Sequence, residues 1–292
     1  MELSICVTDD DYEAWRRVWM DVVPGERCDT VEEMRTRDSP SRLLLLATID
    51  GTVVGSGLAD RSDIAGGGFV APRVRREHRR QGVGSVLLRA LADHVAGLEV
   101  GDLRAMTEDA GSLAFAEHFG FVEVDRQVEQ VRAVGDEPEP SPPPEGVDVV
   151  TLAEHPELWA ASFEDFGMEV LADFAVFQPL EITEKQWNDS WAGDPMFLAV
   201  RDGDVIGCAG LDRDTDRPER AENALTAVRR DWRGHGIAVH LKRRTLRWAA
   251  EHDVAELYTW TQAGNTAMLA LNERLGYVTG NISITLSRPL PL

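Results

Sequence analysis

The sequence predicts an α/β protein made of two successive copies of one domain, each a mixed, largely antiparallel sheet flanked by helices. Three observations carry this expectation. An apolar hairpin, an arginine- and glycine-rich loop that opens an apolar helix, and a short helix ending in glycine and an aromatic residue each occur twice, in the same order. Self-similarity at a near-constant spacing is the mark of a duplicated unit. A chain of 292 residues with 43% hydrophobic content is long and apolar enough to bury one core per copy.

The elements follow in order. "RLLLLATIDGTVVGSGLAD" (42–60) and "PMFLAVRDGDVIGCAGLD" (195–212) are apolar runs joined at Asp50-Gly51 and Asp202-Gly203, a residue pair that favours the two-residue hairpin turn. A third short strand leads into "RVRREHRRQGVGSVLLRA" (73–90) and "AVRRDWRGHGIAVHLKRR" (227–244). Apolar residues at helical spacing then predict a helix in each copy: Val86, Leu87, Leu91 and Val95 in one, Val239, Leu241, Leu246 and Trp248 in the other. A further strand is expected near 100–106 and 254–261, followed by a short helix ending in "HFGF" (118–121) or "RLGY" (274–277). The separation of the copies grows from 152 positions at the Asp-Gly turns to 154 at the arginine loops and 156 at the helix ends, as small insertions would make it.

Between the copies lies "GDEPEPSPPPEG" (135–146), with five prolines, four acids and no apolar residue. Proline removes backbone donors and like charges extend a chain, so this segment is expected to stay out of a core and act as a semi-rigid linker. The expected domains are therefore 1–134 and 147–292.

Composition narrows the classes of function. A net charge of −21 disfavours nucleic acid and anionic membrane as partners, because phosphate surfaces are bound by clustered Lys and Arg. The acidity either keeps the chain soluble or attracts a cationic substrate. There is no run of eighteen apolar residues and no basic, apolar leader in "MELSICVTDDDYEAW", so a cytoplasmic protein is expected. Cys6, Cys28 and Cys208 are odd in number and lack metal-ligand spacing, which predicts three small buried hydrophobes rather than a disulfide framework or a zinc site.

The repeated loop carries the chemistry. In "RGHGIA", Arg233, Gly234, His235, Gly236, Ile237 and Ala238, small residues leave a strand and open a helix. The first turn of a helix presents free N–H groups at the positive end of its dipole, and glycines let a phosphate approach them closely. The first copy offers "RRQGVG": Arg79, Arg80, Gln81, Gly82, Val83 and Gly84. A nucleotide P-loop would need Lys-Ser or Lys-Thr after the glycines, and a dinucleotide fold would need its glycines after the first strand of a parallel βαβ unit; neither is present.

Both loops fit a pattern of Gln or Arg, two residues, Gly, one residue, then Gly or Ala, and "NTAMLALNERLGY" (265–277) adds an Asn-led helix closing in Gly-Tyr. In these features, over both halves apart from the linker, the sequence resembles the GNAT superfamily of acyl-CoA-dependent N-acyltransferases. The resemblance implies acetyl-CoA as acyl donor, its pyrophosphate in the cradle. It also implies a pantetheine slot where the fourth strand splays from the fifth, and direct attack of a primary amine on the thioester. On that pattern the N–H groups of Thr226 and Val228 hold the acetyl carbonyl and pantetheine, Glu222 is the general base, and Asn265 leads the helix beside the coenzyme. Asn272 stands where many members carry a tyrosine acid. The matching first-half set is Val74 with Arg79 to Gly84.

The copies are unequal. By the spacing of the loops, Glu222 corresponds to Gly68 and Thr226 to Pro72, while Asp109 and Ala116 replace Asn265 and Asn272. Proline has no N–H to offer an oxyanion. The expectation is a catalytic C-terminal copy and a degenerate N-terminal one. The acceptor is expected to be an amine on a small molecule, with Asp165, Glu169 and Asp173 of the stretch 163–187 either shaping its site or forming a solvated helix face. A longer acyl group, a peptide N-terminus, or a non-catalytic acyl-CoA sensor remain open at this point.

Overall fold

The computed structural model describes residues 1–24, 27–62, 67–173, 182–215 and 217–292. They form two compact units, Met1–Asp125 with Ser283–Leu292, and Arg126–Ile282.

The first unit begins with β1 (Glu2–Ile5), α1 (Asp9–Val22) and α2 (Val31–Thr36). Both helices start with a capping box, Thr8 with Asp11 and Thr30 with Glu33, which satisfies end-of-helix donors reciprocally. The hairpin β2 (Leu43–Ile49) and β3 (Thr52–Arg61) turns through Asp50 (φ 49°) and Gly51 (φ 78°), the left-handed pair the Asp-Gly sequence foretold. Next come β4 (Gly67–Val74), α3 (Val83–Ala96), β5 (Asp102–Thr107) and α4 (Ala110–His118). One face of the sheet packs Leu45, Ala47, Val54 and Val70 against Leu87, Leu88, Leu91 and Val95 of α3. The opposite face packs Leu44 and Leu46 against Tyr12, Trp15 and Met34. Val86, expected on the apolar stripe of α3, is exposed instead.

The second unit contains β6 (Val122–Ala133) from Arg126 onward, β7 (Asp148–Thr151), α5 (Pro156–Ala161), a wider helical turn at Phe163–Gly167, α6 (Met168–Asp173) and α7 (Glu184–Ser190). It continues with β8 (Met196–Arg201), β9 (Asp204–Arg213), β10 (Arg220–Val228), α8 (Ile237–Glu251), β11 (Glu256–Gln262) and α9 (Thr266–Arg274). The turn at Asp202 and Gly203 repeats the positive φ pair, 53° and 95°. One face packs on Ile237, Leu241 and Leu246 of α8, the other on an aromatic cluster of Trp159, Phe163, Phe166 and Trp187.

The last strand, β12 (Val278–Pro289), shows how the repeats are completed. Its residues Ile284–Pro289 pair antiparallel with β5, whereas Gln127–Ala133 of β6 pair antiparallel with β11. Each repeat's final strand thus finishes the sheet of the other unit, so the units differ from the contiguous halves 1–134 and 147–292. The proline-rich segment, expected to stay out of a core as a semi-rigid linker, is partly docked. Glu137 is buried, its carboxylate bound by Arg132 Nη2 at 2.6 and 2.8 Å and its carbonyl by Arg247 Nη1 at 2.7 Å. Prolines cannot join a ladder, but the interleaved Glu137 docks its carboxylate on an arginine of β6 and its carbonyl on one of α8.

All three cysteines are free and buried, and burial pushes the thiols of Cys6 and Cys208 up to about 12. Among the described residues no helix is long and apolar enough to cross a membrane, and no group of His, Cys, Asp and Glu is placed to hold a metal ion.

Candidate active site

In the second unit the parallel ladder between β10 and β11 has three pairs, Arg220 with Glu256, Ala221 with Leu257 and Glu222 with Tyr258, and then stops. Beyond it β10 stays with β9 but shifts register between Asn223 and Thr226. Asn223 faces Leu211 and Thr226 faces Ala209, so Ala224 and Leu225 together oppose Gly210. This bulge changes which face the strand presents. Asn223 points at α8, while Leu225, two positions on, joins the Trp159 cluster of the opposite face. The strands part at the bulge, and Glu222 and Thr226 flank the opening.

The first unit has the same three-pair ladder, ending at Phe69 with Arg104, but β4 runs beside β3 without a bulge. Its register corrects the spacing argument. Asp60 faces Phe69 as Asp212 faces Glu222, so the counterpart of Glu222 is Phe69, not Gly68. Counting back from the loop missed the residue that the bulge inserts. Gly68 matches Ala221 instead, and a Cβ there would fall on the Val95 side chain. The match of Thr226 with Pro72 holds, since they face Ala209 and Gly57 respectively. On this unit's other face Arg73 lies 3.5 Å from the Trp19 ring centroid, and Trp15 Nε1 donates to the Gly57 carbonyl at 2.9 Å. Aromatic bulk and a cation thus cover the strand where the second unit opens.

The two cradles share one construction. Gly236 (φ 82°) and Gly82 (φ 84°) cap α8 and α3 in the left-handed region, where a side chain would be strained. No atom lies within 4 Å of a Cβ built at Gly82, Gly234 or Gly236, so both loops are open to a ligand. The side chains of Val83 and Ile237 are buried, leaving their backbone to face the loop. Arg233 Nε bonds the Val228 carbonyl at 3.0 Å, and Arg79 Nε bonds that of Val74 at 3.1 Å. The motif's first arginine therefore braces loop to strand. The other end of Arg233 pairs with Asp173, which also holds Arg230, and the Arg230 N–H donates to Glu169 at 2.7 Å. These arginines hold the Asp173 carboxyl below its usual range, their hydrogen bonds outweighing burial.

Several expected site residues are placed elsewhere or otherwise engaged. Asn265 caps α9, its Oδ1 accepting from the Met268 N–H at 3.2 Å, and Asp109 caps α4 in the same way. Helix capping alone explains an Asn or Asp at this position in both copies. Asn272 is fully buried, its amide donating to Gln130 Oε1 at 2.9 Å. A Cβ built at Gly84 would meet the Phe115 ring at 3.5 Å, an ordinary contact, so packing there does not demand a glycine. His235 and Gln81 are exposed on their loops, as are Arg80 and Arg79, while Ala238, Val74 and Val228 pack between helix and strand. Glu169 and Asp173 are engaged by Arg230 and Arg233, so of the three acids only Asp165 stays exposed; residues 174–181 of that stretch lie outside the described residues.

The structure adds a cluster that pattern reading overlooked. Asn223 Nδ2 donates to the Tyr258 carbonyl at 3.0 Å and to the Tyr277 hydroxyl at 3.1 Å, while Lys242 Nζ donates to Asn223 Oδ1 at 3.1 Å. The Tyr258 hydroxyl in turn bonds the Glu222 carboxylate, and burial, then that charge, raises the phenol's pKa. Lys242 is fully buried, and desolvation lowers its pKa from 10.5 to about 7. The folded state binds this proton more weakly than the unfolded chain does, so stability should rise between pH 7 and 10.5 as the unfolded chain gives it up. At pH 7 the cost is on the order of 4 kcal/mol, from ~1.4 kcal/mol per tenfold change. Lys242→Met should therefore raise the melting temperature at pH 7 by ~5 °C or more, and the gain should shrink toward pH 10.5. Calorimetric scans across that range check it; a lower melting temperature at pH 7 would show that the ammonium is solvated or paired.

The chain resembles known proteins in family and fold. The profile of the acetyltransferase (GNAT) family matches residues 7–121 and 157–277. Mycothiol acetyltransferase from Brachybacterium faecium is 29% identical over an alignment of 237 positions that covers 73% of this chain and 66% of that protein. The match thus spans just under two thirds of that relative's length. Among solved structures, a tandem GNAT protein from the clavulanic acid biosynthesis pathway superposes with a TM-score of 0.78 at 20% identity, covering 100% of both chains. A GCN5-related N-acetyltransferase from Sphaerobacter thermophilus gives 0.74 at 19% identity, covering 99% of this chain and 95% of the other. These two likenesses show the fold; the family profile, matched once in each half, shows that the chain belongs to the acetyltransferase (GNAT) family.

Proposed function

We propose that the second unit transfers an acetyl group from acetyl-CoA to a primary amine of a small molecule, and that the first unit performs no chemistry. The observation that carries this reading is the bulged, splayed strand β10, which sets Glu222 and Thr226 beside a glycine cradle in the second unit only. The residues fit the coenzyme. The cradle is open at Gly234 and Gly236, and Thr226 Oγ1 is buried at the opening without a hydrogen-bond partner. When bound, the coenzyme supplies the acetyl group as a thioester. The N–H groups of the first turn of α8 hold its phosphates, and the Thr226 N–H polarises the acetyl carbonyl. Glu222, oriented by the Tyr258 hydroxyl, takes the ammonium proton, because an amine with a pKa near ~10.4 is protonated at neutral pH. The amine then attacks the thioester directly and the thiol leaves. The likeness to a mycothiol acetyltransferase supports a small-molecule acceptor.

The test compares the two cradles. Gly236→Glu brings a side chain, at a backbone angle that disfavours one, and a negative charge that competes with phosphate for the helix N-terminus, and should abolish acetyl-CoA binding there and acetyl transfer with it. Gly82→Glu should leave turnover within ~2-fold of wild type, since an exposed substitution of this kind acts locally. Thiol release against an amine panel and calorimetry on folded variants are the readouts. Activity surviving Gly236→Glu but not Gly82→Glu would place the reaction in the other unit. Acetyl-CoA bound stably with no amine acetylated would favour a sensor.

A further inference from the structure

The register of the two sheets aligns Asn223 with Val70, since Leu211 faces the one as Ala59 faces the other. The loops align Lys242 with Leu88, and the helix ends align Tyr277 with Phe121. The first unit thus builds the same place entirely from buried apolar side chains, Val70, Leu88 and Phe121, and its strand β4 has no bulge. The second unit puts an amide, an ammonium and a phenol there, all buried, and its strand breaks register immediately after the amide. A buried lysine whose partners are an amide oxygen at 3.1 Å and the face of the Tyr277 ring at 5.2 Å is costly compared with leucine. The fold does not require it, because the first unit does without.

We propose that Asn223, Lys242 and Tyr277 are positioning residues: a buried polar strut that ends the β10–β11 ladder and holds the bulge, and so fixes Glu222 and the Thr226 N–H at the mouth of the splay. The hydrogen bonds show how. Tyr258 is the last residue of β11 in the ladder, and its carbonyl accepts from the Asn223 side chain. A side-chain amide in that place closes the ladder without continuing it. Asn223 can hold that orientation because its Oδ1 is bound by Lys242 from α8, and its Nδ2 also reaches the Tyr277 hydroxyl just beyond α9. With Asn223 turned toward α8, the inserted residue is what brings Leu225 to the opposite face. The same tyrosine, Tyr258, sends its hydroxyl to Glu222, so the strut and the base share one residue. Valine at 223 has no donor for the carbonyl and no acceptor for a lysine.

This inference rests on the proposed reaction for its effect on rate, but not for its effect on the strand. The test imports the first unit's residues together, Asn223→Val with Lys242→Leu and Tyr277→Phe, so that no polar group is left stranded. Asn223→Asp serves as a near-isosteric companion that keeps a partner for Lys242 but loses the donor to Tyr258. The expected results are a triple variant that melts at or above the wild-type temperature and binds acetyl-CoA within ~3-fold. Slowed backbone amide exchange at 223–226 is expected as the ladder extends, together with a turnover number lowered ~10²-fold, the scale of a displaced oxyanion donor. Asn223→Asp should lose rate similarly with little change in coenzyme affinity. Unchanged exchange at 223–226 overturns the proposal, and so does wild-type turnover in the triple variant. If the wild-type protein acetylates no amine, the functional reading fails, and the exchange measurement alone decides whether the strut holds the bulge.

Discussion

Glu222→Gln is expected to lower the turnover number by ~10² to 10⁴, the usual contribution of a general base, while leaving acetyl-CoA affinity within a factor of about two. The substitution is close to isosteric, and the glutamine Oε1 can still accept from the Tyr258 hydroxyl, so geometry at the end of the β10–β11 ladder should survive. What is lost is the capacity to take a proton. The rate of the wild-type protein should fall at low pH as the carboxylate protonates, and this acidic limb should vanish from the variant's profile. Steady-state kinetics from pH 5 to 9 with calorimetry of coenzyme binding check both parts. A variant with wild-type turnover would remove Glu222 from the reaction.

Thr226→Pro should lower turnover by ~10² to 10³, because it deletes the N–H proposed above to polarise the acetyl carbonyl. Proline in a strand is normally a risk to folding. Here the first unit supplies the control: Pro72 occupies the same register in β4, opposite Gly57 as Thr226 is opposite Ala209, within an intact ladder. Thr226→Ala keeps the N–H and removes the unpartnered Oγ1 and the γ-methyl, so it should retain most of the rate. Proline and alanine variants of equal activity would mean that the backbone at 226 does not touch the reacting carbonyl.

The duplication, hairpins, cradles and helix order were legible because each rests on local physics: Asp-Gly for a left-handed turn, glycines at helix starts, apolar residues at helical spacing. The unequal copies were legible too, at Thr226 and Pro72. What stayed hidden depends on pairing. The bulge adds one residue between Asn223 and Thr226, and without it the count from loop to strand lands on Gly68 rather than Phe69. Lys242 reads as one more cation on a helix face, since nothing local shows that its side chain is buried beneath β10. Asn265 matched a family position, but its capping bond to Met268 accounts for it without a ligand. The exchange of β6 and β12 is likewise invisible in a repeat pattern, because a strand of either copy fits the same edge.

That exchange gives the first repeat a part in the second unit's fold. β6 is encoded with the first repeat, yet it borders β11 and carries Gln130, the partner of Asn272, and Glu129, which meets Arg220 at 3.3 Å. Cutting the gene between the repeats would strip the second unit of a strand and leave the row of N–H and C=O groups on β11 bare, a template for aggregation. In this fold neither sheet is complete without a strand encoded with the other repeat, so the two repeats are tied together as one gene product.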